Sequence, residues 1–236
     1  QSDRIVSVTD AFKRYTVEKG IDPDKIDVIK NGVDLQLFSD YEGNNELANE
    51  HQLSNKFVAS YVGTHGMAHR LETVLEAADL LRGRDDIVFL LVGDGAERNR
   101  LIEMKEKMQL ENVLMLGQMP KARMPEIWDL SDASLVLLKK SDLFKTVIPS
   151  KIFESMAMRK PIILGVEGEV KGIIEDAECG ICIEPENAEQ LADALIRLAD
   201  NSELQVNKGD SGRNYVEKFF DRKVLAHRYA ELFDTL

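Results

Sequence analysis

The chain has 236 residues, 44% of them hydrophobic and 31% charged, which allows one large domain, or one domain with part of another, around an ordinary buried core. Its formal net charge of −12 argues against a nucleic-acid partner, which needs clustered Lys and Arg, and offers no basic patch to a membrane surface. A nucleotide ligand stays open, because a few backbone amides and one or two cations suffice for a diphosphate.

The first 38 residues suggest strand–helix–strand in "DRIVSVTDAFKRYTVEKGI" and "KIDVIKNGVDLQLF". A polar stretch at 39–55 has the composition of a linker or surface loop. From Phe57 the pattern becomes regular. "FVASYVG" (57–63) reads as a strand, "RLETVLEAADLLRG" (70–83) as an amphipathic helix, and "DIVFLLVGDG" (86–95) as an apolar strand ending in a Gly-Asp-Gly turn. The charged helix "ERNRLIEMKEKM", the strand "NVLMLG" (112–117), the short helix 122–131 and the strand "DASLVLLK" (132–139) follow. A helix is expected over 150–158, a strand over 161–164, and another strand in "GICIEP" (180–185). "NAEQLADALIRLADN" (187–201) is a helix with Asn187 and Gln190 spaced as a capping box, and 214–236 reads as one or two helices. Apolar strands alternating with helices indicate an α/β fold: a Rossmann-like three-layer domain with a parallel sheet covered on both faces.

Two cysteines cannot build a disulfide framework, and no run approaches the roughly 20 apolar residues that span a bilayer, so the cytoplasm is the expected compartment. The first residue is Gln rather than Met, and a preceding segment is expected. Cys179 and Cys182 form C-x-x-C, but the second falls in a strand rather than at a helix start. Packing thiols are expected, not a redox pair or half a zinc site.

Ligands of such sheets bind beyond the carboxyl ends of the strands, which selects the loops 63–70, 93–97, 117–121, 140–150 and 165–172. Gly63 and Gly66 stand between a strand and a helix, where free amides favour an anion, with His69 or Arg70 adding charge; a purely structural turn reads equally well. The spacing is neither G-x-G-x-x-G nor a P-loop. Gly93-Asp94-Gly95 is a tight turn, or a close approach of backbone to a base or sugar. Gln118-Met119-Pro120 is a helix lead-in, or the flat edge that holds a ring. In "TVIPSKIFESMA" (146–157), the amides of Ser150, Lys151 and Ile152 are candidates for unpaired first-turn donors after the rigid Pro149. Lys151 is odd at a helix start, where the dipole disfavours a cation unless an anion binds. Glu154 either caps the helix and pairs with Lys151, or accepts the hydroxyls of a ribose.

These motifs occur together, in order, and the chain over about 30–236 resembles the nucleotide-sugar-binding half of a GT-B glycosyltransferase of family 4. "GTHGMAHRLETVLEAA" and "IPSKIFESMA" are most similar to bacterial enzymes that build surface polysaccharides from amino-sugar donors. The resemblance implies that Gly63, Thr64, His65 and Gly66 contact the donor diphosphate and that Gly93, Asp94, Gly95, Gln118, Met119 and Pro120 line the base. It implies that Thr146, Val147, Ile148, Pro149 and Ser150 cradle phosphate and sugar, and that Glu154 holds the ribose as the second of two glutamates eight apart. The first would fall at 146, where this chain has Thr, between Lys145 and Val147. Lys151 and Arg70 would carry the catalytic burden by stabilising the departing diphosphate.

By the same resemblance the donor is a UDP-sugar, the anomeric configuration is retained, and no metal or other cofactor is required; nor does any Asp-x-Asp or His/Asp cluster stand at a strand end. Residues 1–38 would be the end of an acceptor-binding domain with its hinge, and 56–213 the donor domain. Residues 214–236 would cross back toward the acceptor half, through which a glycan or lipid-linked acceptor binds. The chain by itself is then expected to bind donor but transfer poorly. A GT-B UDP-sugar epimerase and a non-catalytic α/β nucleotide-binding module are the alternatives. A Rossmann oxidoreductase would need the dinucleotide glycine pattern, which is missing.

Overall fold

The computed structural model describes residues 2–39 and 46–234. Its first unit is small. Strand β1 (Ile5–Ser7), helix α1 (Asp10–Glu18) and strand β2 (Ile26–Val28) form a parallel two-stranded βαβ unit. Helix α1 starts where the Thr9 hydroxyl accepts the Phe12 amide at 3.1 Å.

The stretch 39–55, expected as a linker or surface loop, is in part built into the core. Residues 40–45 lie outside the described residues, but α2 (Glu46–Glu50) buries Leu47, and Leu53 follows it inward. Two apolar side chains spaced six apart in a polar stretch outweigh its average composition.

The large unit then alternates strand and helix. Strand β3 (Phe57–Val62) leads to α3 (Glu72–Leu80), β4 (Ile87–Val92) to α4 (Arg98–Met108), and β5 (Val113–Leu116) to α5 (Met124–Leu130). Strand β6 (Ala133–Leu137) is followed by α6 (Lys151–Ala157), β7 (Ile162–Gly165), α7 (Glu169–Asp176) and β8 (Gly180–Cys182). Helices α8 (Ala188–Ala199), α9 (Ser202–Phe219) and α10 (Arg222–Asp234) close the chain. The six strands are parallel in the order β5-β4-β3-β6-β7-β8. The chain therefore reverses its winding between β3 and β6, and a crevice opens beyond their carboxyl ends.

Strand alternation sorts the core into two layers. Val58 and Val62 join Trp128, Phe153 and Met156 on one face. Phe57, Ala59 and Tyr61 join Val74, Leu75, Leu191 and Leu195 on the other. The central strands also carry paired serines. Ser155 Oγ lies 2.7 Å from Ser134 Oγ and 2.9 Å from the Lys151 carbonyl, and Ser131 Oγ lies 2.6 Å from Ser60 Oγ. These buried hydroxyls satisfy one another and fix the rotation of α6 over the sheet, which decides where Lys151 and Glu154 project.

Two boundaries and one cap differ from the sequence reading. Helix α3 begins at Glu72, because residues 67–69 form a 3₁₀ turn and Arg70 takes a left-handed conformation with φ of 48°. At α8, Asn187 caps the Gln190 amide, but the Gln190 side chain accepts the Glu184 amide, so the box is not reciprocal. The boundary expected at 214 falls inside α9; the helix breaks only at Phe220, whose carbonyl accepts the Val33 amide at 3.0 Å. Cys179 is buried, with its thiol pushed up to about 12 by burial, and Cys182 is also raised by burial, as packing thiols are.

Candidate functional site

The loops after β3 and β4 are fastened into one layer. The Gly63 amide donates to the Val92 carbonyl at 2.9 Å, the His65 amide to Asp94 at 2.8 Å, and the Glu97 amide to His65 at 2.9 Å. Glycine is required where these backbones touch. Gly93, at φ of 143°, would drive a Cβ into the Gly63 carbonyl, and Gly95 would meet the His65 carbonyl at 2.5 Å. Gly66 has neither a positive φ nor a close neighbour and is not constrained in this way. Beside this layer lies a cleft of about 240 Å³, lined by Val62, Gly63, Thr64, Val92, Gly93, Asp94, Gln118, Met119 and Met124.

Lys151, first residue of α6, sets the electrostatics. Its Nζ is shut off from solvent, has no hydrogen-bond partner among the described residues, and sits 3.7 Å from the centroid of the Tyr61 ring. A Cβ on Gly63 would come within 2.9 Å of that nitrogen, so the glycine also makes room for the ammonium. Burial lowers Lys151 to about 7, against the pull of Glu154. His65 is wholly buried, with both ring nitrogens lacking hydrogen-bond partners among the described residues, and burial, reinforced by Arg98, lowers it to about 4. His69 is lowered by burial and by Lys151, against a hydrogen bond to the Leu137 backbone. Glu154 lies one turn inside α6. Burial raises it, opposed foremost by the indole N–H of buried Trp128.

The other candidates sit as follows. Arg70 is committed to two carboxylates, Glu72 at 3.0 Å and Glu186 at 3.3 Å, and does not line the cleft. Thr146 ends a 3₁₀ turn over 142–146, and its hydroxyl donates to the Leu143 carbonyl at 2.8 Å. Next to it, Lys145 pairs with Asp142 and Glu167. Val147 and Pro149 are half-buried, Ile148 is buried and Ser150 is exposed. Of the three amides expected to be free at the start of α6, that of Ile152 donates to the Pro149 carbonyl at 3.2 Å. Asp94 folds back on the Gly95 amide at 2.7 Å. Gln118 and Pro120 are exposed at the cleft edge, with Met119 half-buried between them.

A family model described as glycosyl transferases group 1 matches residues 44–215. The chain belongs to that family. Among relatives of this group 1 chain, the putative colanic acid biosynthesis glycosyl transferase WcaI of Escherichia coli K12 is 26% identical over 96% of this chain and 56% of its own length. The N-acetyl-alpha-D-glucosaminyl L-malate synthase of Bacillus anthracis is 25% identical over 100% of this chain and 61% of its own. The crystal structure of Anabaena Alr3699/HepE in complex with UDP-glucose superposes with a TM-score of 0.86 at 18% identity, covering 100% of this chain and 64% of that one. The fold is thus that of GT-B glycosyltransferases, and the chain spans roughly three fifths of the length of these relatives.

Sequence reasoning passed over Tyr61, Val62, Val92, Met124 and Trp128. Strand alternation could have found Tyr61, two residues before Gly63 and on the same face of β3. Nothing local marks Trp128 or Met124, which reach the site through the packing of α5.

Proposed function

We propose that this chain is the donor-binding part of a family 4 GT-B glycosyltransferase that transfers a sugar from a UDP-sugar, an amino sugar, to a polysaccharide or lipid-linked acceptor with retention. The observation that carries the reading is Lys151: a buried amine with no hydrogen-bond partner among the described residues, at the crevice of a doubly wound sheet, facing a glycine loop. An uncompensated buried cation is costly, and a site that keeps one is built for an anion.

In this reading Lys151 and the amides of Thr64 and Ser150 receive the diphosphate and stabilise the charge that develops on it as the glycosidic bond to the sugar breaks. No metal or cofactor is assigned a part. Glu154 accepts the ribose hydroxyls, and Gln118–Pro120 with Met124 border the base. Arg70, held by Glu72 and Glu186, braces the first loop rather than touching the donor. Val147–Pro149 lead the chain past the sugar. The names of the relatives in Escherichia coli and Bacillus anthracis support the surface-polysaccharide and amino-sugar elements, and the UDP-glucose complex of the Anabaena protein supports the uridine.

The same reading makes residues 56–213 the donor domain of a cytoplasmic enzyme and the β1–α1–β2 unit the end of an acceptor-binding domain. Support comes from α10, whose Arg228, Glu231 and Leu232 share a groove with Asp27, Val28 and Ile29, returning the C-terminus to that unit. No helix among the described residues is long and apolar enough to cross a membrane.

Calorimetry with UDP, 2′-deoxy-UDP, ATP and NAD tests the donor assignment. UDP should bind in preference to the other three. Glu154→Ala should weaken UDP by about 10–150-fold, the equivalent of about 1.5–3 kcal/mol for hydrogen bonds to a charged group, and should abolish discrimination against the deoxy analogue. Equal indifference to all four nucleotides would sink the reading.

A further inference from the structure

Tyr61 has no part in the donor contacts, yet the basic groups of the site converge on it. Its side chain is wholly buried, and its hydroxyl donates to the Thr64 carbonyl at 2.8 Å. Lys151 Nζ rests 3.7 Å from the ring centroid, and the rings of His65 and His69 stand 5.9 and 5.7 Å away. Lys151 Nζ, both nitrogens of His65 and Nδ1 of His69 lack hydrogen-bond partners among the described residues. One residue thus holds the glycine loop through its oxygen and seats the lysine on its face. Lys151 arrives from a helix packed on one face of the sheet, and Tyr61 belongs to the other.

We propose that Tyr61 is the positioning residue that poises Lys151 and the Gly63–Gly66 loop, and that the donor diphosphate binds there together with one proton taken up by Lys151. The inference rests on the donor reading above and goes beyond it. An aromatic face offsets only part of what an ammonium loses on leaving water. The groups that bear on Lys151 are Glu154 on its own helix and Tyr61, His65 and His69 from β3 and its loop; Asp94 and Arg98, from the β4 loop and α4, act on His65. None is a carboxylate paired with Lys151, so burial decides and holds the amine at about 7. A diphosphate within contact distance favours the charged form and raises that value. The amine then gains a proton from solvent, –NH₂ becoming –NH₃⁺, with no covalent change.

Titration calorimetry of the full chain with UDP at pH 6 and pH 8, in two buffers of different ionisation enthalpy, reads the proton directly. The second ionisation of a phosphate, near 6, is complete by pH 8, and His65 is neutral at both values. We expect uptake of about 0.9 proton at pH 8 and affinity falling about fivefold from pH 7 to pH 8. Tyr61→Leu, which unseats Lys151 into solvent, should weaken UDP and bring uptake at pH 8 close to zero. Tyr61→Phe keeps the ring and loses the Thr64 tether. It should retain the uptake while binding UDP several-fold more weakly, which tests the idea even if Tyr61→Leu does not fold. Binding of UDP by the wild type without proton uptake at pH 8 overturns the inference and leaves the donor reading intact. So does unchanged uptake in Tyr61→Leu, or unchanged affinity in Tyr61→Phe. Absence of UDP binding at either pH overturns the donor reading itself.

Discussion

Replacing Lys151 by Met should make the protein more stable and unable to hold UDP. The lysine is lowered from 10.5 to about 7 by burial. Each pH unit between those values corresponds to about 1.4 kcal/mol, so burying this lysine costs the fold roughly 4–5 kcal/mol below pH 7, where the amine stays charged, and roughly 3 kcal/mol at pH 8, where it has given up its proton. The sign follows from proton counts. Between pH 7 and about 10 the unfolded chain holds a proton on this lysine that the folded chain has released, so stability rises with pH across that window. Met covers the Tyr61 ring with an uncharged side chain of similar length, removing both the cost and its pH dependence. A gain of at least about 2 kcal/mol at pH 7 corresponds to about 4–8 °C in a chain of this size. Thermal unfolding of both proteins from pH 6 to 10, with and without UDP, measures it. The variant should melt higher at pH 6–7, converge with the wild type near pH 10, and show no shift with UDP. If it melts lower at pH 7 and still responds to UDP, Lys151 is not an uncompensated charge and the site argument fails.

Two further substitutions probe the framework. Gly93→Ala places a Cβ against the Gly63 carbonyl at a φ of 143°. It should cost roughly 2–4 kcal/mol in urea unfolding and, by displacing the first loop, abolish UDP binding; an unchanged midpoint would show that the two loops part without cost. Glu169, largely buried at the start of α7, accepts the Asp10 and Ala11 amides at 3.1 and 3.0 Å and pairs with Lys30 at 3.0 Å, clamping α1 to the donor unit. Glu169→Ala should cost about 1–3 kcal/mol and speed hydrogen exchange in α1 while leaving β3 and β4 protected; persistent protection of α1 would remove the clamp.

What could be read without coordinates was whatever repeats locally. Six apolar strands, their helical connections and the glycine turns at strand ends announce themselves by period and composition, and with them the α/β class and the set of loops that face a ligand. Elements stabilised at long range were less legible. Leu47 and Leu53 look like stray apolar residues in a polar stretch until the core they enter is assembled. The break at Phe220 shows only when Val33 pairs with it from the far end of the chain.

The sequence by itself determined the fold class and nominated Lys151, Glu154 and the glycine loops, because residue type and spacing carry that information along the chain. Only the tertiary structure decided which of the basic residues is left uncompensated. Arg70 and Lys151 are equivalent as letters, both cations at the start of a helix. Folding brings Glu72 and Glu186 into ion pairs with the first, and to the second an aromatic face with no paired carboxylate among the described residues. Charge compensation depends on distances across the sheet, and no local pattern encodes them.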